Sequence, residues 1–285
     1  MTQNSRGMAW MIVATMLFVA LDTTGKYLTQ LYPVQQVIWA RFTFHFIFAL
    51  TLALALRDVP LRSKRPALQI TRSLLMLAAN GLFLFAVRSM PLVEVTSILF
   101  VGPLIVTALS VPLLGEHVGA RRWTAVLVGF AGAMIIIQPG SDALTSVAVL
   151  PLLGAFSFAL YQVATRVLNH VDAPLTTLVY TAVGGTVISS IAVPWYWSAP
   201  DALGWGLFAT VGVLGALGQL ALIKAIRAAP LPVVAPFNYL TLVWATIAGF
   251  LVFGDLPGPS TLVGAIVIVG SGLYVVHREQ VRKEE

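Results

Sequence analysis

The sequence contains no cysteine, which excludes a disulfide framework and any thiolate metal site. It is also poor in charge. Asp, Glu, Lys and Arg make up 10% of its 285 residues, where a soluble domain carries about 25%. Histidine is scarce, at four residues, and three of those fall in loops or the tail. No His-Glu-x-x-His or Gly-x-Ser-x-Gly pattern occurs, and no two carboxylates share a face in the middle of an apolar run. These absences remove the common hydrolase and zinc-enzyme sets. The expectation is a protein that is not an enzyme and has neither cofactor nor metal site.

What the chain does have is apolar length. Hydrophobic residues make up 58%, and the mean hydropathy is +0.90, so the expected class is an all-α integral membrane protein with the lipid bilayer as a partner. The net charge of +6 does not call for nucleic acid, because the basic residues sit mostly in short loops between apolar runs. The first such run, from about Met8, lacks a small-residue cleavage site before Asp22, so a cleaved leader is not expected.

A helix needs about 20 apolar residues to cross a bilayer. Ten segments qualify or come close: Met8–Leu28, Val34–Leu56, Gln69–Val87, Leu92–Leu114, Trp123–Gln138, Val147–Leu168, Leu175–Trp195, Leu203–Ala225, Leu231–Phe253 and Thr261–Val276. Pro139-Gly140-Ser141-Asp142 breaks the chain near its middle.

The two sides of that break repeat each other. Ala-Val-Arg-Ser-Met-Pro-Leu at 86–92 returns as Ala-Ile-Arg-Ala-Ala-Pro-Leu at 225–231, and the Gly115–Gly119 turn returns at Gly254–Gly258. Arg88 with Arg227, Pro91 with Pro230, Thr107 with Thr246 and Gly115 with Gly254 all stand 139 residues apart. The expected units are 1–140 and 141–285, five spans each. An odd number of spans makes the two copies cross in opposite directions, an inverted repeat around a central cavity. Two such halves have two packings, one open to each side, so the symmetry points to alternating access.

With the N-terminus inside, all but Lys26, Arg41 and Arg88 of the 17 lysines and arginines fall on the inner side. The opposite orientation breaks the positive-inside rule. Both termini are expected to be cytoplasmic and the protein to lie in the inner (plasma) membrane. Trp195, Tyr196 and Trp197 suit an interfacial aromatic belt.

Ala86–Ile137 resembles EamA-type members of the drug/metabolite transporter superfamily. The likeness rests on Pro103, Leu114-Gly115-Glu116 and the spaced Gly129 and Gly132, with Arg41-Phe42 similar to the family's Arg-Phe pair. It covers nearly the whole chain as two copies. One departure is Asp255, where the family usually repeats Glu. The resemblance implies ten helices, the last of each half peripheral, and export of amino acids or other small metabolites. YddG-like aromatic amino-acid exporters are one branch. Nucleobases, cationic drugs and phosphorylated sugars remain alternative cargoes, and a channel is a more distant one. A monomer and a homodimer both remain open.

Candidate substrate-binding residues are those whose polar groups would be costly facing lipid, with aromatics near them. Arg41 and His45 share one face of the second span. Asn80, with Phe83 on its face, lies at similar depth in the third, and Gln219 is its equivalent 139 residues on. Tyr161 and Gln162 mark the sixth span, and Asn238, Tyr239 and Trp244 the ninth. Trp39, Phe100, Tyr161, Tyr239 and Trp244 offer stacking walls. Each has a plainer reading: helix-joining hydrogen bonds for the amides, a satisfied core histidine for His45, and general packing for the aromatics. Asp22 invites a proton-carrying role, while Lys26 four residues on invites a local ion pair; Glu94 beside Arg88 is read the same way. Only Arg41 looks deep, which favours a cargo of low net charge. Pro103, Pro112 and Pro236 lie within the fourth and ninth spans and are candidate gating kinks; static kinks are the other reading.

Overall fold

The computed structural model describes residues 3–55, 62–114, 120–137, 147–168, 171–229 and 234–284. The Gly115-Glu116 turn, the Pro139–Asp142 break with the boundary between the two units, and Pro230-Leu231 lie outside them.

The described chain is helical, with no strand among the described residues. The helices are α1 (Gln3–Leu31), α2 (Val34–Ala55), α3 (Pro66–Val87), α4 (Leu92–Leu99), α5 (Gly102–Leu114), α6 (Ala120–Ile137), α7 (Val149–Leu168), α8 (Pro174–Ala192), α9 (Ala202–Ala228), α10 (Leu240–Ala248) and α11 (Pro259–Glu284). Five of these regions are long and apolar enough to cross a membrane, and the other apolar helices are shorter. Exposed Leu54, Leu127, Ile191, Leu251 and Ile266 spread over α2, α6, α8, the segment after α10, and α11. An apolar exterior of this kind suits lipid as the surrounding solvent.

Local chemistry explains several helix starts. Pro66 and Pro174 open α3 and α8, where a missing N–H costs no helical bond. Asp201 caps α9, its Oδ1 accepting from Gly204 N at 2.7 Å.

Two of the expected spans are interrupted. The fourth divides at Phe100–Val101, where Phe100 N bonds to both Thr96 O and Ser97 O. Pro103 therefore falls in the first turn of α5 rather than inside a continuous helix. Pro112 does lie within α5 and is exposed. The ninth is a 3₁₀ turn (Ala235–Tyr239) containing Pro236, then α10, then a π-helical turn (Gly249–Phe253). Gly254 closes it at φ 72°, a left-handed conformation that glycine adopts without strain.

Close helix contacts use small residues. At Gly132 of α6 and Gly264 of α11, each faces the other's backbone with no room for a Cβ. Gly185 of α8 sits against the Phe42 ring, and Gly212 of α9 against the Phe44–His45 backbone. These approaches bring α8 and α9 onto α2.

The ends of the bundle are tied separately. At one end Gln36 exchanges two hydrogen bonds with Ser198, 2.8 and 3.0 Å, and Tyr32 donates to Asp201. Trp39, Trp197 and Trp205 meet edge to face there. At the other end Asp172 accepts from Ser63, from Lys64 N at 3.0 Å and from Gln69 at 2.9 Å.

Candidate functional site

Three helices build the central polar group. Arg41 on α2 meets Asp22 on α1 at 3.6 Å. Asn80 on α3, oriented with its amide oxygen toward the guanidinium, accepts from Arg41 Nε at 3.2 Å and Nη2 at 3.3 Å. His45 lies one turn below Arg41. Its ring faces Gly215 on α9, and its Nε2 is buried with no hydrogen-bond partner. Asn80 is 3% and His45 8% exposed, so α1, α2 and α3 carry a charged and amide cluster into an apolar bundle.

A second arginine enters from the opposite end. Arg72, taken from the sequence as an inner-segment cation, is 3% exposed inside α3. Its Nη2 donates to Tyr161 Oη at 2.6 Å and its Nη1 to Thr181 Oγ1 at 2.8 Å and Thr177 O at 3.1 Å. Nε donates to Thr165 Oγ1. The guanidinium also stands 4.3 Å from the centre of the Tyr161 ring, a cation–π contact. Arg41 is therefore not alone among the arginines inside the bundle, so burial of a single cation no longer argues for a cargo of low net charge. Hydropathy did not expose it, because Arg72 stands near the edge of its span and reads as a flank.

The local Asp22–Lys26 pair does not form. Asp22 goes to Arg41, while Lys26 Nζ reaches Asp255 Oδ2 at 2.6 Å and donates to Met90 O at 3.2 Å. Glu94 accepts from Thr261 Oγ1 at 3.3 Å rather than pairing with Arg88.

The other candidates divide by place. Phe83 is buried in the apolar core that also contains Phe100. Phe100 stacks on Tyr239 with ring centres 5.2 Å apart and planes at 30°. Trp244 is half-buried, its indole N–H buried without a partner. Tyr161 is turned to Arg72, and Gln162 and Gln219 are half-buried. The amide of Asn80 is turned to Arg41 instead of to Gln219. Asn238 is exposed. Trp39 belongs to the aromatic cluster at the Ser198 end, donating to Ser190 Oγ at 3.1 Å.

An apolar cavity of about 730 Å³ lies apart from the charged cluster, among Val93, Tyr239, Val243, Thr261, Leu262 and Ile266. It presents no charged side chain, so it lacks the group that would orient a polar solute. The charged cluster is the better candidate on chemical grounds. A smaller polar cavity of about 410 Å³ is lined by Lys26, Gln30, Arg88, Ser89, Met90 and Asp255, among others.

A buried ion pair capped by an amide, beside a buried imidazole Nε2 without a partner, marks a functional site in an apolar bundle. Comparison with known families gives the same class, matching the EamA-like transporter family twice, over residues 5–138 and 145–276. The chain belongs to the EamA-like transporter family. It is a membrane transporter of the EamA type, in two copies of the family unit. It is 28% identical to an S-adenosylmethionine uptake transporter of Rickettsia bellii over 97% of this chain and 95% of that one. It is 30% identical to a riboflavin transporter of Vibrio cholerae, covering 96% and 94%. A crystal structure shares the fold of this EamA-like chain at TM-score 0.67 and 16% identity, over 99% of both chains. Neither named relative is an amino-acid exporter, so the narrower expectation of amino-acid export finds no support in these comparisons.

Proposed function

We propose that this protein is an alternating-access carrier that takes up a small metabolite bearing a flat nitrogen heterocycle across the inner membrane. The observation that carries it is the Asp22–Arg41–Asn80 cluster with His45 beside it, set among apolar helices. Such groups persist where they meet a solute or an ion. The two named relatives support the cargo class, since S-adenosylmethionine and riboflavin both join a flat ring to a polar ribose-derived chain. The Phe100–Tyr239 stack and the unpartnered Trp244 indole N–H supply ring-facing surface and a donor.

In this reading ten helical segments cross the membrane as two inverted halves, 1–140 and 141–285, with both termini cytoplasmic. The Ser198 end then faces outward and the Asp172 end inward. Arg41, His45, Asn80, Phe83, Phe100, Gln219, Tyr239 and Trp244 contact the cargo, and the interrupted spans around Pro103 and Pro236 flex between the two packings.

The test is uptake into proteoliposomes of labelled S-adenosylmethionine, riboflavin, nucleosides and amino acids, with unlabelled cargo preloaded inside. A carrier shows accelerated exchange. Saturable uptake without acceleration by internal cargo points to a channel, and uptake confined to amino acids overturns the cargo class.

A further inference from the structure

The buried charges do not balance. Two guanidiniums enter the interior, Arg41 from α2 and Arg72 from α3, and among the described residues the carboxylate that answers them there is Asp22 on α1. Lys26 is already matched by Asp255. Every acceptor on Arg72 is neutral: the Tyr161 and Thr181 hydroxyls, the Thr177 carbonyl and the Thr165 hydroxyl. Four donors from one guanidinium onto α7 and α8 hold the ion in place without cancelling its charge.

The two cations stand on either side of the middle of the bundle. Arg41 comes seven residues after Val34, at the start of α2, and Arg72 six residues after Pro66, at the start of α3. At the helical rise each lies roughly 10 Å inside its own end, and His45 lies about 17 Å in, between them. The Nε2 of its imidazole is buried with no partner. Arg41, His45 and Arg72 thus stand at successive depths between the Ser198 end and the Asp172 end. Asp22, the carboxylate that answers the two guanidiniums among the described residues, is loosely held: 3.6 Å from Arg41 exceeds the 2.7–2.9 Å typical of a charge-assisted N–H···O bond. An incoming carboxylate can displace it.

Resting on the carrier reading above, we propose that the cargo carries an anionic group of the carboxylate type, received by Arg41 from the Ser198 end and by Arg72 from the Asp172 end, with His45 between them. A cargo carboxylate on Arg41 leaves Asp22 facing the solute, where it accepts from the ammonium of a zwitterion. A ring bearing an amino-acid head satisfies both groups. A neutral ring on a polyol chain satisfies neither.

The test is binding to the purified full chain of four probes: S-adenosylmethionine, methylthioadenosine (the same ring without the amino-acid head), riboflavin and methionine. The native protein is expected to favour probes with a carboxylate. Loss of a charge-assisted bond corresponds to about a ten- to hundredfold loss of affinity, so R41Q and R72Q should each weaken carboxylate probes by that much and leave neutral probes within about twofold. R72K keeps the charge and should keep the preference, which separates charge recognition from helix tying should R72Q fold poorly. Tight binding of methylthioadenosine or riboflavin at the affinity of S-adenosylmethionine overturns the proposal. So does an R72Q variant that melts lower yet keeps its affinity for carboxylates. If a carboxylate probe binds but shows no exchange in liposomes, the carrier reading falls while the anion assignment stands. If no probe binds, both fall.

Discussion

Phe100 and Tyr239 stack with ring centres 5.2 Å apart, and they stand 139 residues apart, the same offset that separates Arg88 from Arg227. By that offset they are matching positions of the two copies of the family unit, so the contact joins the two halves of the chain. Each also marks an interruption: Phe100 caps α4 and Tyr239 ends the 3₁₀ turn before α10. The contact therefore joins the interruption of the fourth span to that of the ninth.

This stack should be measurable as a coupling. F100A and Y239A are each expected to lower the thermal midpoint, and the double variant to fall short of their sum by about 0.5–1.5 kcal/mol, the range for aromatic pairs. Strict additivity in the double-mutant cycle would make the contact incidental.

Lys26 and Asp255 close the polar cavity at the Ser198 end. With Lys26 only 7% exposed at its side chain, D255N strands a buried ammonium. The expected cost is about 1–2 kcal/mol, below the 3–5 kcal/mol of a fully buried pair, because Asp255 keeps 30% of its surface. The chain has no native cysteine, so a single cysteine placed at Ser89 reports access. Its maleimide labelling should speed up in D255N and return toward native rates in the charge-swapped K26D/D255K. Labelling unaffected by either change would separate this pair from gating.

Asp172 ties the opposite end. Partial burial acts to raise its carboxyl, but bonds from Ser63, Lys64 N and Gln69 outweigh that and hold it below its ordinary 3.8. With the folded value depressed, its contribution is complete above the unfolded value of about 3.9 and is lost as pH falls through the folded one. The native protein should therefore lose stability through this group only below about pH 4, and D172N should flatten that acid limb. Midpoints measured between pH 3 and 7 check it; an effect of D172N confined to neutral pH would contradict the assignment.

Asn80 and Gln219 should behave differently although they are repeat equivalents. N80L leaves the Arg41 N–H groups without their acceptor, and buried unsatisfied donors cost about 1–3 kcal/mol, so both midpoint and cargo affinity should drop. Q219L, at a half-buried position, should change affinity with little change in midpoint. Equal effects on both quantities at both positions would return the two amides to a shared structural role.

The prolines separate as well. P103A replaces a first-turn residue of α5, where no backbone bond is missing, and should leave turnover unaltered. P236A extends helical bonding through the 3₁₀ turn and should slow turnover more than it weakens binding. Turnover in proteoliposomes beside equilibrium binding decides this, and unchanged turnover in P236A makes the turn a static bend.

Much of the helix layout was legible in the sequence. The expected span Val34–Leu56 is α2 to within a residue, and Leu203–Ala225 lies within α9, because hydropathy is a property of neighbouring residues and bilayer thickness sets its length scale. The interruption at Phe100–Val101 was less legible. Its cue was Pro103, which fits equally a kinked helix or the first turn of a new one, and the packing of Phe100 against Tyr239 from the other half of the chain goes with the second.

By itself the sequence determined the membrane class, the repeat, and which residue types sit in apolar surroundings. The tertiary structure decided their partners. Asp22 stands four residues from Lys26, yet it faces Arg41, while Lys26 meets Asp255 across 229 residues. Arg72 left its expected place among the flanking cations because Tyr161, Thr165, Thr177 and Thr181 on α7 and α8 converge on its guanidinium. The physical reason is one of range. Burial preference acts residue by residue along a helix, but a charge in a medium of low dielectric is held by whichever groups packing brings within about 3 Å, and sequence distance does not enter that choice.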